Sequence, residues 1–514
     1  MKIIIVISFF LFSGLVYSQE QKLVILHTND LHSNLTGFGP ESDYSPLTIN
    51  DDQTRGGFAR LQTLIHQLSD ENHENNIVVD AGDFLMGTLF HSLEEETGFQ
   101  LRLMKEMGYD FIILGNHEFD FGPAALANTI QAALDHGNIP EIIASNIIFS
   151  DEQEDDKLEH LYHQGIIRPY RIISRGNLRI GIIGLMGEKA AEDAPSSIPV
   201  QFGSPVRHAK KMVKLLKVKE KADIILCISH GGLYKNDKGQ YEGEDITLAQ
   251  KVKEIDVIIS GHSHVETPER ILINRTVIVQ SGYNCRNIGK LELHLADNQI
   301  TGHNYKLIPV NDEIAGNKSI NDKIEREKVL IAKRYLNKLN MKYDQTVAET
   351  GFDMVFDHIN EESNLGTFIA DAVRHYINSS SPEPTDVTII ASGLIRENLL
   401  KGKTGFQTMP DIFRILNLGR GVDDIPGYPV AKLYISGREL KKLMEVLLLM
   451  HGTSDDYFFF FSGIKVYYNP KRIMLHKIEK IELDGKVLDT SKSNKKLYSI
   501  AANAYLLNFI GLIK

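Results

Sequence analysis

From Leu23 to about Val310 the chain repeats one unit: a short apolar run, a polar and often Gly-containing loop, then a segment with helical spacing. The runs are Leu23-Leu26, Ile77-Val79, Phe111-Leu114, Glu141-Ala144, Ile180-Leu185, Ile224-Ile228, Val257-Ile259 and Thr276-Val279. Such short, nearly continuous apolar runs suit strands buried on both faces. Segments such as Gly57-Leu68 and Leu101-Met107 have the spacing of helices that would cover those faces. The pattern predicts an α/β fold or a layered α-β-β-α sandwich.

Residues Ser319 to Leu339 change character: rich in Lys, Glu and Leu, free of Gly and Pro, and helical in spacing. They read as a linker helix. A second, smaller domain follows from about Asp344, with strands at Thr388-Ile390, Val430-Ile435 and Gly463-Tyr468 and helices at Gly366-Ile377 and Gly437-Leu449. A chain of 514 residues is too long for one ordinary core, which agrees with this division. The expected organisation is a signal peptide over 1–18, a first domain over 22–312, a linker helix over 313–343 and a second domain over 344–514.

Charge and cysteine content narrow the function. A net charge of -11 argues against a nucleic-acid polymer as partner, because duplex binding needs a basic face. It leaves room for a small anionic substrate if metal ions supply positive charge locally. The apolar stretch from Ile3 to about Val16, with Lys2 before it and Val16-Tyr17-Ser18 after it, reads as a signal peptide cleaved after Ser18. The mature protein is expected to be secreted or periplasmic, with no membrane anchor after cleavage. Cys227 and Cys285 are the only cysteines, which is no disulfide framework, and Cys227 lies inside an apolar run where buried packing is expected.

Nearly every predicted strand of the first domain ends in a loop carrying Asp, Asn or His. These loops are His27-Thr28-Asn29-Asp30-Leu31-His32, Asp80-Ala81-Gly82-Asp83, Gly115-Asn116-His117-Glu118-Phe119-Asp120, Ser229-His230-Gly231-Gly232 and Ser260-Gly261-His262-Ser263-His264. In open α/β sheets the site lies at the carboxyl ends of the strands, so five such loops converge on one edge. Asp30 and His32, like His262 and His264, stand two apart, and in extended chain each pair points the same way. Gly82 and Gly261 each precede a candidate ligand, where the backbone needs a positive φ or a close approach. Carboxylates, imidazoles and one amide without thiolate suit Zn, Mn, Co or Fe. Two such divalent ions are the usual arrangement for phosphoester hydrolysis, binding the phosphate and activating a water. His73, His91, His136 and His160 lie in polar settings and read as surface residues.

Taken in order, Asp30-x-His32, Gly82-Asp83, Gly115-Asn116-His117-Glu118, His230 and Gly261-His262-Ser263-His264 resemble the calcineurin-like metallophosphoesterase signature. Leu26-His27-Thr28-Asn29-Asp30-Leu31-His32 and Asn116-His117-Glu118-Phe119-Asp120-Phe121-Gly122 resemble more narrowly the 5'-nucleotidase / UDP-sugar hydrolase family. The resemblance implies a four-layer α-β-β-α catalytic domain joined to a substrate-binding domain that swings about the linker helix. It implies one metal on Asp30, His32, Asp83 and His264, and another on Asp83, Asn116, His230 and His262, with Asp83 bridging. It implies a catalytic pair, His117 and Asp120, in which His117 stabilises charge on the phosphate or protonates the leaving oxygen.

The second domain follows the family less closely. Glu362-Ser363-Asn364-Leu365-Gly366 resembles its opening, and Ser392-Gly393-Leu394-Ile395-Arg396 resembles its Gly-rich loop, which implies that Arg396 binds substrate. Where the family carries a base-stacking Phe in a Pro-Phe-Gly segment, this chain reads Leu416-Asn417-Leu418-Gly419. Ala391 stands where the family has Asn, Glu361 where it has an upstream Arg, and the closing residues from Asn503 lack its Gly-Gly-Asp-Gly loop. The dense run Tyr457-Phe458-Phe459-Phe460-Phe461 reads chiefly as packing. The expected substrate is a small phosphate ester, a nucleoside 5'-monophosphate in the first reading. The alternatives are another ester, such as a UDP-sugar or 2',3'-cyclic nucleotide, and an inactive secreted binding module.

Overall fold

The computed structural model describes residues 21–39, 44–71, 75–356, 362–451, 458–504 and 506. The expected signal peptide, His73, Glu361, Tyr457 and most of the closing segment lie outside the described residues.

Thirteen strands of the first domain build two sheets. In chain order they are β1 (Gln21–Thr28), β2 (Asn76–Asp80), β3 (Phe111–Ile113), β4 (Glu141–Ile143), β5 (Ile167–Arg168), β6 (Arg171–Arg175), β7 (Leu178–Met186), β8 (Ile224–His230), β9 (Val257–Ser260), β10 (Ile271–Ile273), β11 (Thr276–Val279), β12 (Asn287–Ala296) and β13 (Gln299–Pro309). One sheet has the order β13-β12-β1-β2-β3-β4-β5 and the other β10-β11-β9-β8-β7-β6. The run from β1 to β5 is parallel, as is the central run β7-β8-β9-β11. All eight apolar runs read from the sequence are strands of these sheets. The hairpin of β12 and β13 was not among them, because β12 alternates buried and half-buried positions as an antiparallel strand does.

Successive side chains of a strand point to opposite faces, and that alternation sorts the core into layers. Leu23 and Ile25 of β1, Ile77 and Val79 of β2, Leu226 and Ile228 of β8, and Val257 and Ile259 of β9 meet between the two sheets. Val24, Leu26, Val78 and Ile112 face outward onto helices α1 (Phe58–Asp70), α2 (Phe99–Met107) and α3 (Gly122–His136). Ile225, Cys227, Ile258 and Ile278 face the other way, onto α4 (Pro205–Lys214) and α5 (Glu244–Lys251). The result is the α-β-β-α order, with Cys227 buried and unpaired as its apolar setting predicts.

Helix α6 (Lys318–Arg334) occupies the linker. Asn317 caps it by accepting from Ile320 N, and Ile320, Ile324 and Ile331 form a stripe that joins the core of the first domain. In the second domain a four-stranded sheet runs in the order Val430–Ser436, Leu497–Asn503, Val387–Ala391, Phe459–Ser462. Helices α7 (Asn364–Ser380), α8 (Met409–Ile415) and α9 (Gly437–Met450) accompany it. Phe459 and Phe460 of the aromatic run are buried in its two apolar clusters.

Candidate active site

Every candidate ligand sits at or just beyond the carboxyl end of a parallel strand. Asp30 and His32 follow β1, Asp83 follows β2, Asn116 follows β3, His230 ends β8, and His262 and His264 follow β9. The first three strands belong to one sheet and the last two to the other, so the site straddles the sandwich. Main-chain bonds stitch the loops together: Asp30 N donates to Gly82 O at 2.9 Å and His32 N to Asp83 O at 3.0 Å.

The side chains then converge. Ligand atoms of Asp30, His32 and His264 all lie within 4.8 Å of one another, as do those of Asp83, His230 and His262, and those of His32, Asp83 and His117. His264 Nε2 is 3.4 Å from Asp30 Oδ1 and 3.0 Å from His32 Nε2. His230 Nε2 is 3.1 Å from Asp83 Oδ2. Asn116 Oδ1 completes this second group, 3.2 Å from His230 Nε2 and 3.1 Å from His262 Nδ1.

The protonation states of Asp30, Asp83, His32 and His262 suit a cation. At His230 burial is outweighed by the Asp83 charge and hydrogen bond, which raise the ring to about 10, so that a cation there would take the place of its proton. Burial alone pushes both carboxylates up, but the His264 hydrogen bond and charge outweigh it at Asp30, and the His230 and His117 charges outweigh it at Asp83. Both carboxyls stay ionised below the usual range. Burial and the neighbouring His264 lower His32 to about 3, and burial with His230 lowers His262 to about 4, so both rings are neutral, as ligation requires. His230 Nδ1 donates to Ala81 O at 2.7 Å, which turns Nε2 toward Asp83. His32 Nδ1 faces Leu85 O at 3.3 Å in the same way. Carboxylate, imidazole and amide donors so arranged fit divalent ions of borderline softness.

The backbone corrects one expectation. Asp30, His32, Asp83, His262 and His264 have φ of 51°, 48°, 54°, 74° and 56°, so neither Asp-x-His nor His-x-His is extended. The pairs converge through left-handed turns, which non-glycine residues rarely adopt and which surrounding bonds must hold in place. Gly82 has φ 86°, whereas Gly261 is needed for space, since a Cβ there would meet Ala81 O at 2.6 Å.

Three buried acids hold these turns, and their part was not legible in the sequence. Glu118 accepts from Asp83 N and Leu85 N at 2.9 Å each, and from Gly115 N at 2.6 Å. Asp80 accepts from Thr28 Oγ1 at 2.6 Å and Gly82 N at 3.0 Å. Asp245 of α5 accepts from Ser229 and Ser260, the residues that precede His230 and Gly261, at 2.6 and 2.5 Å. Burial raises Asp80 and Asp245 to about 7, and burial with the Asp83 charge raises Glu118 to about 8. The one available signal was their place: Glu118 lies within the Gly-Asn-His-Glu run and Asp80 ends an apolar strand.

His117 Nδ1 lies 2.7 Å from Asp120 Oδ2. Burial disfavours a charge on His117, but the Asp120 and Asp83 carboxylates outweigh it and raise the ring to about 9. Both residues open onto a cavity of about 680 Å³ shared with His32, Asp83, Asn116, His262 and His264. Arg396, Asn417, Leu418 and Tyr428 of the second domain form its opposite wall. His136 and His160 are exposed as expected, but His91 is not: it is 4% exposed, packed against Phe121 and Phe413. Its neighbours Leu89, Phe90 and Leu93 carry it into the core.

Comparison with known proteins agrees with this geometry. The calcineurin-like phosphoesterase family matches residues 23–266, and the 5'-nucleotidase C-terminal domain matches residues 346–511. Over 95% of its length the chain is 25% identical to the trifunctional nucleotide phosphoesterase protein YfkN of Bacillus subtilis, of which it spans 32%. It is 27% identical to the 5'-nucleotidase of Bos taurus over 90% of this chain and 78% of that one. A 5'-nucleotidase precursor from Thermus thermophilus shares the fold, with a TM-score of 0.70 at 22% identity over 95% of this chain and 90% of that one. The chain therefore belongs to the 5'-nucleotidase family, a calcineurin-like phosphoesterase domain followed by a 5'-nucleotidase C-terminal domain, and is a metal-dependent phosphoric ester hydrolase.

Proposed function

We propose that the chain is an exported enzyme that hydrolyses nucleoside 5'-monophosphates to nucleoside and phosphate, with two divalent ions (Zn, Mn, Co or Fe). Asp30, His32, Asp83 and His264 would hold one ion, and Asp83, Asn116, His230 and His262 the other. The observation that carries the reading is a single cavity onto which open the ligand clusters, the His117–Asp120 pair and Arg396. When bound, the ions supply positive charge for the phosphoryl oxygens and activate a water for attack on phosphorus. The residues do the rest. Asp120 fixes the His117 ring and sustains its charge, so that the ring stabilises charge on the phosphate or protonates the leaving oxygen. Arg396 binds the anionic substrate from the second domain. Export rests on the apolar stretch before Ser18, and no helix among the described residues is long and apolar enough to cross a membrane.

A second reading, another small phosphate ester as substrate, is favoured by one observation: aliphatic Leu418 lines the cavity where the family's ring is expected. Phosphate release from AMP, UDP-glucose, 2',3'-cyclic AMP and p-nitrophenyl phosphate, with added Mn or Zn, decides between them. AMP as preferred substrate is the expected result. Preference for UDP-glucose or cyclic AMP establishes the second reading, and no release from any of the four leaves only a binding module.

A further inference from the structure

The second domain reaches into the loop that carries two of the candidate ligands. Arg414, on α8, is 5% exposed. Its guanidinium donates to neutral acceptors only among its described hydrogen bonds: Asn34 Oδ1 at 2.9 Å, Thr36 Oγ1 at 3.1 Å and Thr36 O at 3.4 Å. Its central carbon also sits 4.7 Å from the Phe38 ring centre. All these contacts fall on the segment that begins two residues after His32.

Asn34 passes the contact on. Its amide donates to His32 O at 3.0 Å, Leu31 O at 3.2 Å and Asn284 Oδ1 at 3.0 Å. Asn284 N donates to Asp30 O at 2.7 Å, and Asn284 Nδ2 donates to Glu397 Oε2, again of the second domain, at 3.1 Å. Glu397 Oε2 also receives Arg286 Nη2 at 3.3 Å. Arg286 Nη1 bonds Tyr283 OH at 2.6 Å, and the Tyr283 ring stacks on His264 with centroids 4.8 Å apart. The network therefore ends on Asp30, His32 and His264, one ligand cluster, whereas the His230 and His262 rings are held by Ala81, Asn116 and Asp83 of the first domain. The His262 main chain meets the first cluster only by donating from N to the Asp30 carboxylate at 3.0 and 3.1 Å.

Two physical points give this layout a purpose. Asp30, His32 and His264 all sit at positive φ, so their turns need external bonds to persist. Burial works against the charge on Arg414 even with the Asp411 and Glu397 carboxylates near it, and an Arg fork fixes geometry that a Lys cannot. We propose that Arg414 is a positioning residue through which the second domain completes one half of the metal centre, so that cation affinity at Asp30–His32–His264 depends on Arg414 and affinity at Asp83–His230–His262 does not. The proposal rests on the two-cation reading above.

Calorimetric titration of the full chain with Mn, after chelator treatment, tests it. Two backgrounds separate the halves: His262→Ala leaves the Arg414-linked half intact, and His264→Ala leaves the other. Arg414→Ala and Arg414→Lys should each weaken Mn binding about 10–100-fold in the His262→Ala background. They should change it less than about twofold in the His264→Ala background. Equal effects in both backgrounds, or none in either, overturn the proposal while two Mn still bind the wild type. A wild type that binds fewer than two Mn overturns the two-cation reading, and this proposal with it. If Arg414→Ala loses the native circular dichroism spectrum, Asn284→Ala, which cuts the same network at a smaller residue, must show the same selective loss.

Discussion

Asp120 Oδ2 accepts a hydrogen bond from His117 Nδ1 across 2.7 Å, three residues apart on one tight turn. The turn follows β3 directly, so the strand end that delivers Asn116 also delivers the proposed acid–base pair. The same contact sustains the charge on the ring, which burial alone would remove. His117→Ala is expected to lower kcat about 10²–10⁴-fold, the usual contribution of a positioned proton donor, with metal content unchanged by elemental analysis. Asp120→Asn should lower kcat in the same direction by a smaller factor. Turnover close to wild type in a fully metallated His117→Ala protein would remove the assigned role.

The residues that were legible in the sequence share a feature: each interrupts an apolar strand end with a polar side chain that has no structural reason to be there. Asp30, Asp83, Asn116, His230 and His262 stood out for that reason, and the structure brings them together. Glu118 and Asp245 did not stand out, because an acid in a loop or on a helix is ordinary until its backbone and hydroxyl donors are known. His91 differs for the converse reason: a polar residue in a short helical turn is buried in part by partners distant in sequence, Phe121 and Phe413, the latter over 300 positions away. The left-handed turns at Asp30 and His32 were invisible, since a sequence marks positive φ only where glycine supplies it.

Asp83, like His32, belongs to two of the ligand clusters, and it is the carboxylate in contact with His230. Dialysis against a chelator is expected to abolish phosphate release, and Mn or Zn to restore it. Asp83→Asn keeps the shape but removes the negative charge that both clusters use. It should lower the bound metal below that of the wild type under the same conditions, and turnover with it. Elemental analysis after gel filtration measures this. Metal content equal to wild type would show that Asp83 is not shared.

Glu94 provides a pH test at a residue outside the candidate ligand clusters. It is buried, and burial together with nearby Glu327 raises it to about 8 from an ordinary value of 4.5. The unfolded chain releases this proton near pH 4.5, whereas the folded chain keeps it until about pH 8. Between those values the folded state binds more protons, so the group's contribution to stability falls as pH rises, then levels off above about pH 8. Glu94→Gln removes the titration while keeping one acceptor for Gln100 N. Urea midpoints at two pH values, one near 5 and one near 8.5 (roughly the ends of that window), are expected to show a smaller alkaline loss in the variant than in the wild type. Equal losses in the two proteins would show that Glu94 does not carry the effect.

Leu418 decides how far the family's substrate can be carried over. It lines the cavity together with Arg396, Asn116 and Tyr428. Stacking on an aromatic side chain is worth about 1–3 kcal/mol per base, and an aliphatic side chain forgoes most of it. A ring restored at this position should help only a substrate with a base to stack. Leu418→Phe is therefore expected to raise kcat/KM for AMP about 5–150-fold, mainly through KM, the factor those energies imply. It should leave ribose 5-phosphate, which has no aromatic ring to stack, unchanged when assayed in the same metal buffer, because the candidate ligands, His117 and Asp120 are untouched. The comparison is internal, so a general change in folding or metal loading moves both substrates together. Improvement confined to AMP would mark Leu418 as the residue that limits nucleotide binding. Equal effects on the two substrates, or no gain with AMP, would mean that the base does not lie against this wall of the cavity.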